Sequence, residues 1–165
     1  MSRESSVTKE AQASTATEQF LTFFLNEEEY GVEILRVQEI RSWSAPMPLP
    51  HAPAYIKGVI NIRGDIVPIA DLRERLGLSS AVRSPTLAVV VLRVGSADRT
   101  RTMGVVVDAM SDVTNVSAGD IKAPPDFAGV QQSMAKGIAT VAEKMITILD
   151  VDQLFEPSAV PHAPA

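Results

Sequence analysis

The chain contains no cysteine. Disulfides, thiolate metal sites and a cysteine nucleophile are excluded, and a reducing cytoplasm suits such a sequence. Histidine is almost as scarce, with 2 in the chain. His51 lies among prolines and His162 near the C-terminus, so neither has the second ligand or orienting acid that a metal site or a catalytic triad requires. No P-loop lysine motif, no Gly-x-Gly-x-x-Gly after a strand and no Gly-x-Ser-x-Gly elbow occurs, which removes the common nucleotide and hydrolase signatures. Apolar runs fall well short of the roughly 20 residues of a spanning helix, and the N-terminus lacks the hydrophobic core of a signal peptide. Basic residues form no cluster and the formal net charge is −5, so neither nucleic acid nor an anionic membrane is the expected partner. The expectation is a cytosolic protein that works on other proteins.

What the sequence does hold is β structure. At 165 residues and 45% hydrophobic, it suffices for one compact domain or two small fused barrels. Residues 1–18 are short and polar, too poor in apolar side chains to offset the entropy of ordering them, and are expected to form a mobile tail. Residues 157–165 carry prolines and form a second short tail. The folding unit therefore spans about 19–156.

Within it, Phe20 to Leu25 and Tyr30 to Ile34 read as strands around the acidic turn Asn26-Glu27-Glu28-Glu29, and Pro46, Pro48, Pro50 and Pro53 punctuate a loop. The runs Val59 to Ile62 and Ile66 to Ile69 flank Arg63-Gly64-Asp65, where glycine supplies the positive φ of a tight hairpin turn. Asp71 to Gly77 reads as a short helix that Asp71 caps and Gly77 ends, followed by a linker to about Ser84. A strand from Leu87 to Leu92, a turn from Gly95 to Thr100, a strand from Met103 to Val107, loops around Pro124-Pro125, a hairpin from Gly137 to Leu149 and a terminal helix complete the order. Many short strands with little helix predict a mainly β protein, barrel or sandwich.

The later part of this order partly repeats the earlier. A shift of 79 positions carries Gly58 onto Gly137, Ile69 onto Ile148 and Asp71 onto Asp150, with apolar pairs between. A shift of 73 carries the segment Tyr30 to Ile40 onto Met103 to Val113, keeping the glycine, one valine and the acid near the end. Two matches in the same order at close offsets indicate two related halves and not a solenoid array.

No catalytic constellation emerges. Asp65, Asp71, Asp108 and Asp112 sit beside turns and strand ends, where acids commonly cap or face solvent. Two features suit binding instead. The segment Val37-Gln38-Glu39-Ile40-Arg41 reads either as a half-buried strand with a solvated face or as a contact strip. Arg63 at the hairpin tip is either an ordinary exposed turn residue or a guanidinium fork held for a partner carboxylate.

Several ordered motifs resemble CheW, the bacterial chemotaxis coupling family. They are Glu28-Glu29-Tyr30-Gly31-Val32, Val37-Gln38-Glu39-Ile40, the run from Pro53 to Gly64, the run from Ile66 to Leu72, and Val105-Val106-Val107-Asp108. The resemblance spans about 19–156. It implies two small five-stranded SH3-like β-barrels packed around a shared hydrophobic seam, with short helices after the hairpins. It also implies a non-enzymatic adaptor without cofactors. Such an adaptor sits in the cytoplasm at membrane receptor arrays and joins the tips of methyl-accepting chemotaxis receptors to the regulatory domain of the histidine kinase CheA. Carried over by motif, Val37, Glu39, Gly58, Arg63, Met110 and Val113 are implied as partner-binding positions, with a receptor helix laid in the groove between barrels. The sequence departs from the commonest pattern at Ile62, where leucine is frequent, and at Ala109-Met110, where glycine and a smaller residue are common. A kinase regulatory end or a coupler-receiver fusion would need modules for which 165 residues leave no room. An SH3-like scaffold of another pathway is the alternative reading.

Overall fold

A computed structural model describes residues 17–78, 86–95, 100–123 and 134–155. Among the described residues there are eleven strands: β1 (Thr17–Leu25), β2 (Glu28–Glu33), β3 (Val37–Ser42), β4 (Ile56–Ile62), β5 (Asp65–Asp71), β6 (Ala88–Val94), β7 (Arg101–Val107), β8 (Ala109–Ser117), β9 (Ile121–Lys122), β10 (Ala135–Val141) and β11 (Lys144–Leu149). Two helices of one turn, α1 (Leu72–Arg75) and α2 (Val151–Leu154), follow the β4–β5 and β10–β11 hairpins. The tails expected at 1–18 and 157–165 lie outside the described residues, apart from Thr17 and Glu18, which open β1. The linker to Ser84, the turn from Gly95 to Thr100 and the loop at Pro124-Pro125 also fall largely outside them.

The strands form two sheets, a six-stranded one ordered β8-β1-β2-β11-β10-β9 and a five-stranded one ordered β3-β6-β7-β5-β4. The mainly β, two-barrel expectation holds, with the two-residue β9 as a sixth strand of one sheet. The halves do not close separately, however. The five-stranded sheet takes β3 to β5 from the first half and β6 and β7 from the second, while the six-stranded sheet joins β1 and β2 to β8 through β11.

Two short parallel joints make this exchange. Gly31 of β2 pairs with Ile148 of β11, and Gly104 of β7 pairs with Ile69 of β5. The repeat found in the sequence relates these four residues, so the joints are images of each other with the halves exchanged. Both are tight: a Cβ on Gly31 would lie 3.3 Å from Ile148 Cδ1, and one on Gly104 only 2.6 Å from Ile69 Cδ1, so that at Gly104 the isoleucine would have to shift.

Alternation along the strands sorts side chains into three cores. Val89 and Val91 of β6 enter the five-stranded barrel with Ile62, Val67, Ile69 and Val106. Ala88, Val90, Leu92 and Val94 of the same strand face the seam, where they meet Leu21, Phe23 and Leu25 of β1, Tyr30 and Val32 of β2, and Leu72 and Leu154 of the helices. Phe20, Val116, Ala139, Ile146 and Ile148 fill the six-stranded barrel. The seam is the largest of the three, as the shared-seam expectation requires. Each fully buried aliphatic contributes about 1.5–3 kcal/mol.

Local chemistry fixes the hairpins. Asp71 caps α1 by accepting from the backbone N–H of Arg73 and Glu74, and Asp150 caps α2 by accepting from that of Gln153. Gly77 ends the α1 turn at φ 75°. The repeat also explains Gly58 and Gly137, which sit at register shifts of β4 and β10. A Cβ on Gly58, at φ 145°, would lie 2.1 Å from the Met47 carbonyl oxygen, and one on Gly137 2.5 Å from that of Lys122. Only a residue without a side chain admits a neighbouring backbone this closely.

Gly58→Ala and Gly137→Ala are accordingly expected to lose at least about 2 kcal/mol of stability. Gly119→Ala, with open space around its Cβ position, should stay within about 0.5 kcal/mol of wild type. Urea unfolding followed through Trp43, the only tryptophan of the chain, measures all three.

Candidate functional site

Arg63 stands at the tip of the β4–β5 hairpin, in a two-residue turn with Gly64. Both residues have positive φ, 50° and 92°. The Gly64 N–H donates to Asn61 Oδ1 at 2.8 Å, bracing the turn from within. The sequence reading assigned positive φ to the glycine alone; the arginine shares it, as the twist of a two-residue hairpin requires.

From this tip the Arg63 guanidinium reaches Glu39 on β3 and donates to its Oε2. Glu39 Oε1 accepts from Arg41 Nη1 at 3.0 Å. β3 and β4 are the two terminal strands of the five-stranded sheet, so this row of two bases and one acid spans from one edge to the other. The Arg63 side chain is 74% exposed while that of Glu39 is 21% exposed. Hydrogen bonds from Arg63, and next from Arg41, hold the Glu39 carboxyl below its ordinary pKa. The arrangement leaves one net positive charge on a stiff tip with much of the guanidinium open to a further acceptor.

β3 departs from the solvated-face expectation in one respect. Val37, Glu39 and Arg41 are its half-buried residues and Gln38, Ile40 and Ser42 its exposed ones. The apolar Ile40 therefore faces outward at 48% exposure, while the charges lie along the less exposed row. Ile66, at the start of β5 beside the tip, is 64% exposed. Val37 packs against the seam core. Gly58 lies below the Met47 carbonyl, and the geometry supplies it with a close-packing role.

Met110 and Val113 occupy β8, a nine-residue strand that the sequence reading did not identify. β8 pairs with β1, Val113 opposite Leu21 and Met110 opposite Phe23, with a register shift between those pairs. Thr22 fills the shift. Its buried hydroxyl donates to the Asp112 carbonyl at 2.9 Å and accepts from the Asp112 N–H at 3.1 Å, standing in for the interrupted ladder. Met110 packs against the seam core and Val113 is 45% exposed. The structure thus brings Val37, Glu39, Gly58 and Arg63 onto one sheet and puts Met110 and Val113 on the edge of the other. Val37 and Met110 both border the seam. The β-branched residues Val113, Thr114 and Val116 were the available signal for β8, and Arg41 and Ile66 are neighbours of the site that the carried-over positions leave out.

Set against known proteins, residues 19–158 match the CheW-like domain. The chain is 38% identical over 138 residues to the chemotaxis protein CheW of Rhizobium meliloti (strain 1021), covering 83% of this chain and 86% of that protein. It is 37% identical over 142 residues to the chemotaxis protein CheW of Klebsiella aerogenes, covering 86% and 83% respectively. The crystal structure of the scaffolding protein TtCheW from Thermoanaerobacter tengcongensis superposes with a TM-score of 0.78 at 29% identity, covering 87% of this chain and 90% of that one.

Because its folded-state pKa is depressed, the bridged form of Glu39 is complete at neutral pH and is lost as pH falls through the lowered value. Carbon-detected NMR titration is expected to place the Glu39 midpoint below the ordinary glutamate range, and Arg63→Gln to move it upward. A midpoint indifferent to Arg63→Gln would assign the shift to Arg41 instead.

Proposed function

This chain belongs to the CheW-like family, and from that premise we propose that it couples methyl-accepting chemotaxis receptors to the histidine kinase CheA. Proteins of this family are adaptors in chemotaxis and not enzymes. The finer reading is that the chain binds the cytoplasmic tip of a receptor and the regulatory domain of the kinase at the same time, and so acts at the receptor array.

One observation carries it: Arg63 is mostly exposed on a braced hairpin tip, tied to Glu39 across the closing edges of a barrel, with the exposed apolar side chain of Ile66 at the start of the following strand. A guanidinium with spare donors beside apolar contacts is the composition of a protein-binding patch, arginine giving direction and the aliphatics giving area. Val37 and Met110, at the margin of the seam, and Val113, exposed on β8, extend the apolar contacts. A receptor helix lying along this margin would bury its apolar stripe there and set an acid against Arg63, which is helix-in-groove recognition. Gly58 contributes through backbone placement, since it lets the Met47 segment lie against β4.

No bond chemistry is needed. An adaptor that holds two partners at once raises their effective concentration for each other, so individually weak contacts give a durable assembly.

The test is kinase activity in receptor-containing membranes with purified CheA, with and without this chain. Strong activation that attractant reverses is the expected result. Arg63→Glu, in a folded protein, should cut activation about tenfold, equivalent to about 1.4 kcal/mol of lost interaction. Wild-type activation by that variant would remove Arg63 from the contact, and no activation by the unaltered chain would overturn the coupling role.

A further inference from the structure

The described strands place two passes of the chain between the sheets. The first is the short 3₁₀ turn Ile34–Arg36 between β2 and β3, and the second is the bend at Asp108 between β7 and β8. A polar cluster sits on each.

At the second pass Asp108 gathers groups from both sheets. Its Oδ2 accepts from the Asn26 N–H in the β1–β2 turn at 2.7 Å, and its own N–H donates to the Phe24 carbonyl at 3.0 Å. Its Oδ1 lies 3.4 Å from Nη1 of Arg73 on α1, and its carbonyl accepts from Thr86 Oγ1 at 2.8 Å. Arg73 is the only charged residue among the described ones to be counted as buried, at 5% exposure.

At the first pass Arg36 binds Asp152 of α2 through both guanidinium nitrogens, at 3.0 and 2.7 Å. Arg36 also donates to the Gly95 carbonyl at 3.1 Å. Asp152 Oδ1 in turn accepts from the Gly95 N–H, beyond β6, at 2.8 Å.

The two clusters share one plan. Each links a residue of the pass, a residue on the single-turn helix after a hairpin, and the N–H of the turn after the first strand of a hairpin. The repeat relates them: the shift of 79 carries Arg73 onto Asp152, and the shift of 73 carries Arg36 onto Ala109, next to Asp108. The charges are exchanged. At one pass the acid is on the crossing and the base on the helix; at the other the base is on the crossing.

Apolar packing in the seam is non-directional and tolerates sliding and rotation. Directional bonds between groups of fixed position do not. Replacing a buried ion pair such as Asp108–Arg73 by neutral groups of similar size commonly leaves stability unchanged or raised, so its presence fits a role in specifying arrangement; the half-buried Arg36–Asp152 pair adds a bidentate, directional contact of the same plan. Both clusters also stand directly before proposed contacts: Val37 follows Arg36, and Met110 lies two residues beyond Asp108.

We propose that the Asp108–Arg73 and Arg36–Asp152 pairs are positioning residues that fix the relative placement of the two sheets, so that Glu39 and Arg63 on one and Met110 and Val113 on the other meet their partners together. This rests on the coupling role proposed above.

The absence of cysteine makes the test clean. Asp65→Cys and Thr140→Cys put one spin label on an exposed position of each sheet, and pulsed electron resonance reads the distance between them in the full chain. In the double variant Arg73→Met/Asp108→Asn, where the asparagine oxygen still accepts from Asn26, the distances are expected to broaden or move while the thermal midpoint does not fall. Kinase activation in receptor membranes should then drop about tenfold, the scale of a site-to-site coupling, with binding of the isolated kinase regulatory domain near wild type. A distance distribution identical to wild type overturns the proposal, whatever the activity. Should the double variant not fold, Arg36→Gln, which removes the charge of the half-buried pair with Asp152, is measured in the same way, and identity with wild type overturns the proposal there as well. If the unaltered chain itself fails to activate the kinase, the coupling role fails, while the distance measurement still decides the placement role.

Discussion

At each of the two parallel joints a glycine faces an isoleucine, and the volume that a Cβ would take is already occupied or tightly approached by that side chain. This close approach is the constraint from which the rest follows. Because β2 meets β11 and β5 meets β7 there, neither half of the chain closes a barrel with its own strands. The exchange obliges the chain to pass from the six-stranded sheet to the five-stranded one and back. It also turns the face of β6 that bears Val90 and Leu92 towards β1 and β2, so that the largest core lies between the sheets and not inside either of them. A bulkier residue at Gly104 would push on Ile69, a member of the five-stranded barrel's own core, and thereby disturb joint and barrel together.

Much of the local structure was legible in the sequence, because its causes are local. Arg63-Gly64 between two β-branched runs announces a tight hairpin. Asp71 before Leu72 announces a helix cap, and the recurrence of both patterns near Gly137 and Asp150 announces a duplication. Pairing across long separations was not legible. Nothing in the neighbourhood of Gly31 says that its partner is Ile148 and not Ile69, since the duplication makes the two isoleucines near equivalents; only the space left in the assembled fold chooses between them. β8 escaped notice for a related reason. Its sequence, Ala-Met-Ser-Asp-Val-Thr-Asn-Val-Ser, has a single buried residue, Val116, and lacks the dense apolar run of β6, and its ladder with β1 is bridged at the register shift by the hydroxyl of Thr22, 90 residues away from Asp112 in the chain.

The candidate site divides in the same way. Motif matching located Glu39 and Arg63 singly, while their ion pair joins residues 24 apart in sequence and exists because β3 and β4 are the two ends of one sheet. Gly58 illustrates a different lesson. It entered as a contact position by motif, and its surroundings supply a backbone reason for glycine that operates whether or not a partner is bound. Exposed ion pairs contribute little to folding, so charges such as Arg63 are free to be set by recognition, while stability resides in the buried aliphatic side chains of the three cores.

The order of the strands has a consequence for synthesis. β3 through β7 form one uninterrupted stretch, so the five-stranded sheet can assemble as soon as Val107 has left the ribosome. β1 and β2, although made first, find β8 only afterwards and β11 only when residues beyond 144 emerge. Until then the apolar face of that hairpin, with Phe23, Leu25 and Val32, has only part of its final covering. Such delayed pairing slows folding and prolongs exposure of sticky surface. A nascent chain of this kind makes a larger demand on chaperones than its small size suggests, and the demand falls on its first two strands.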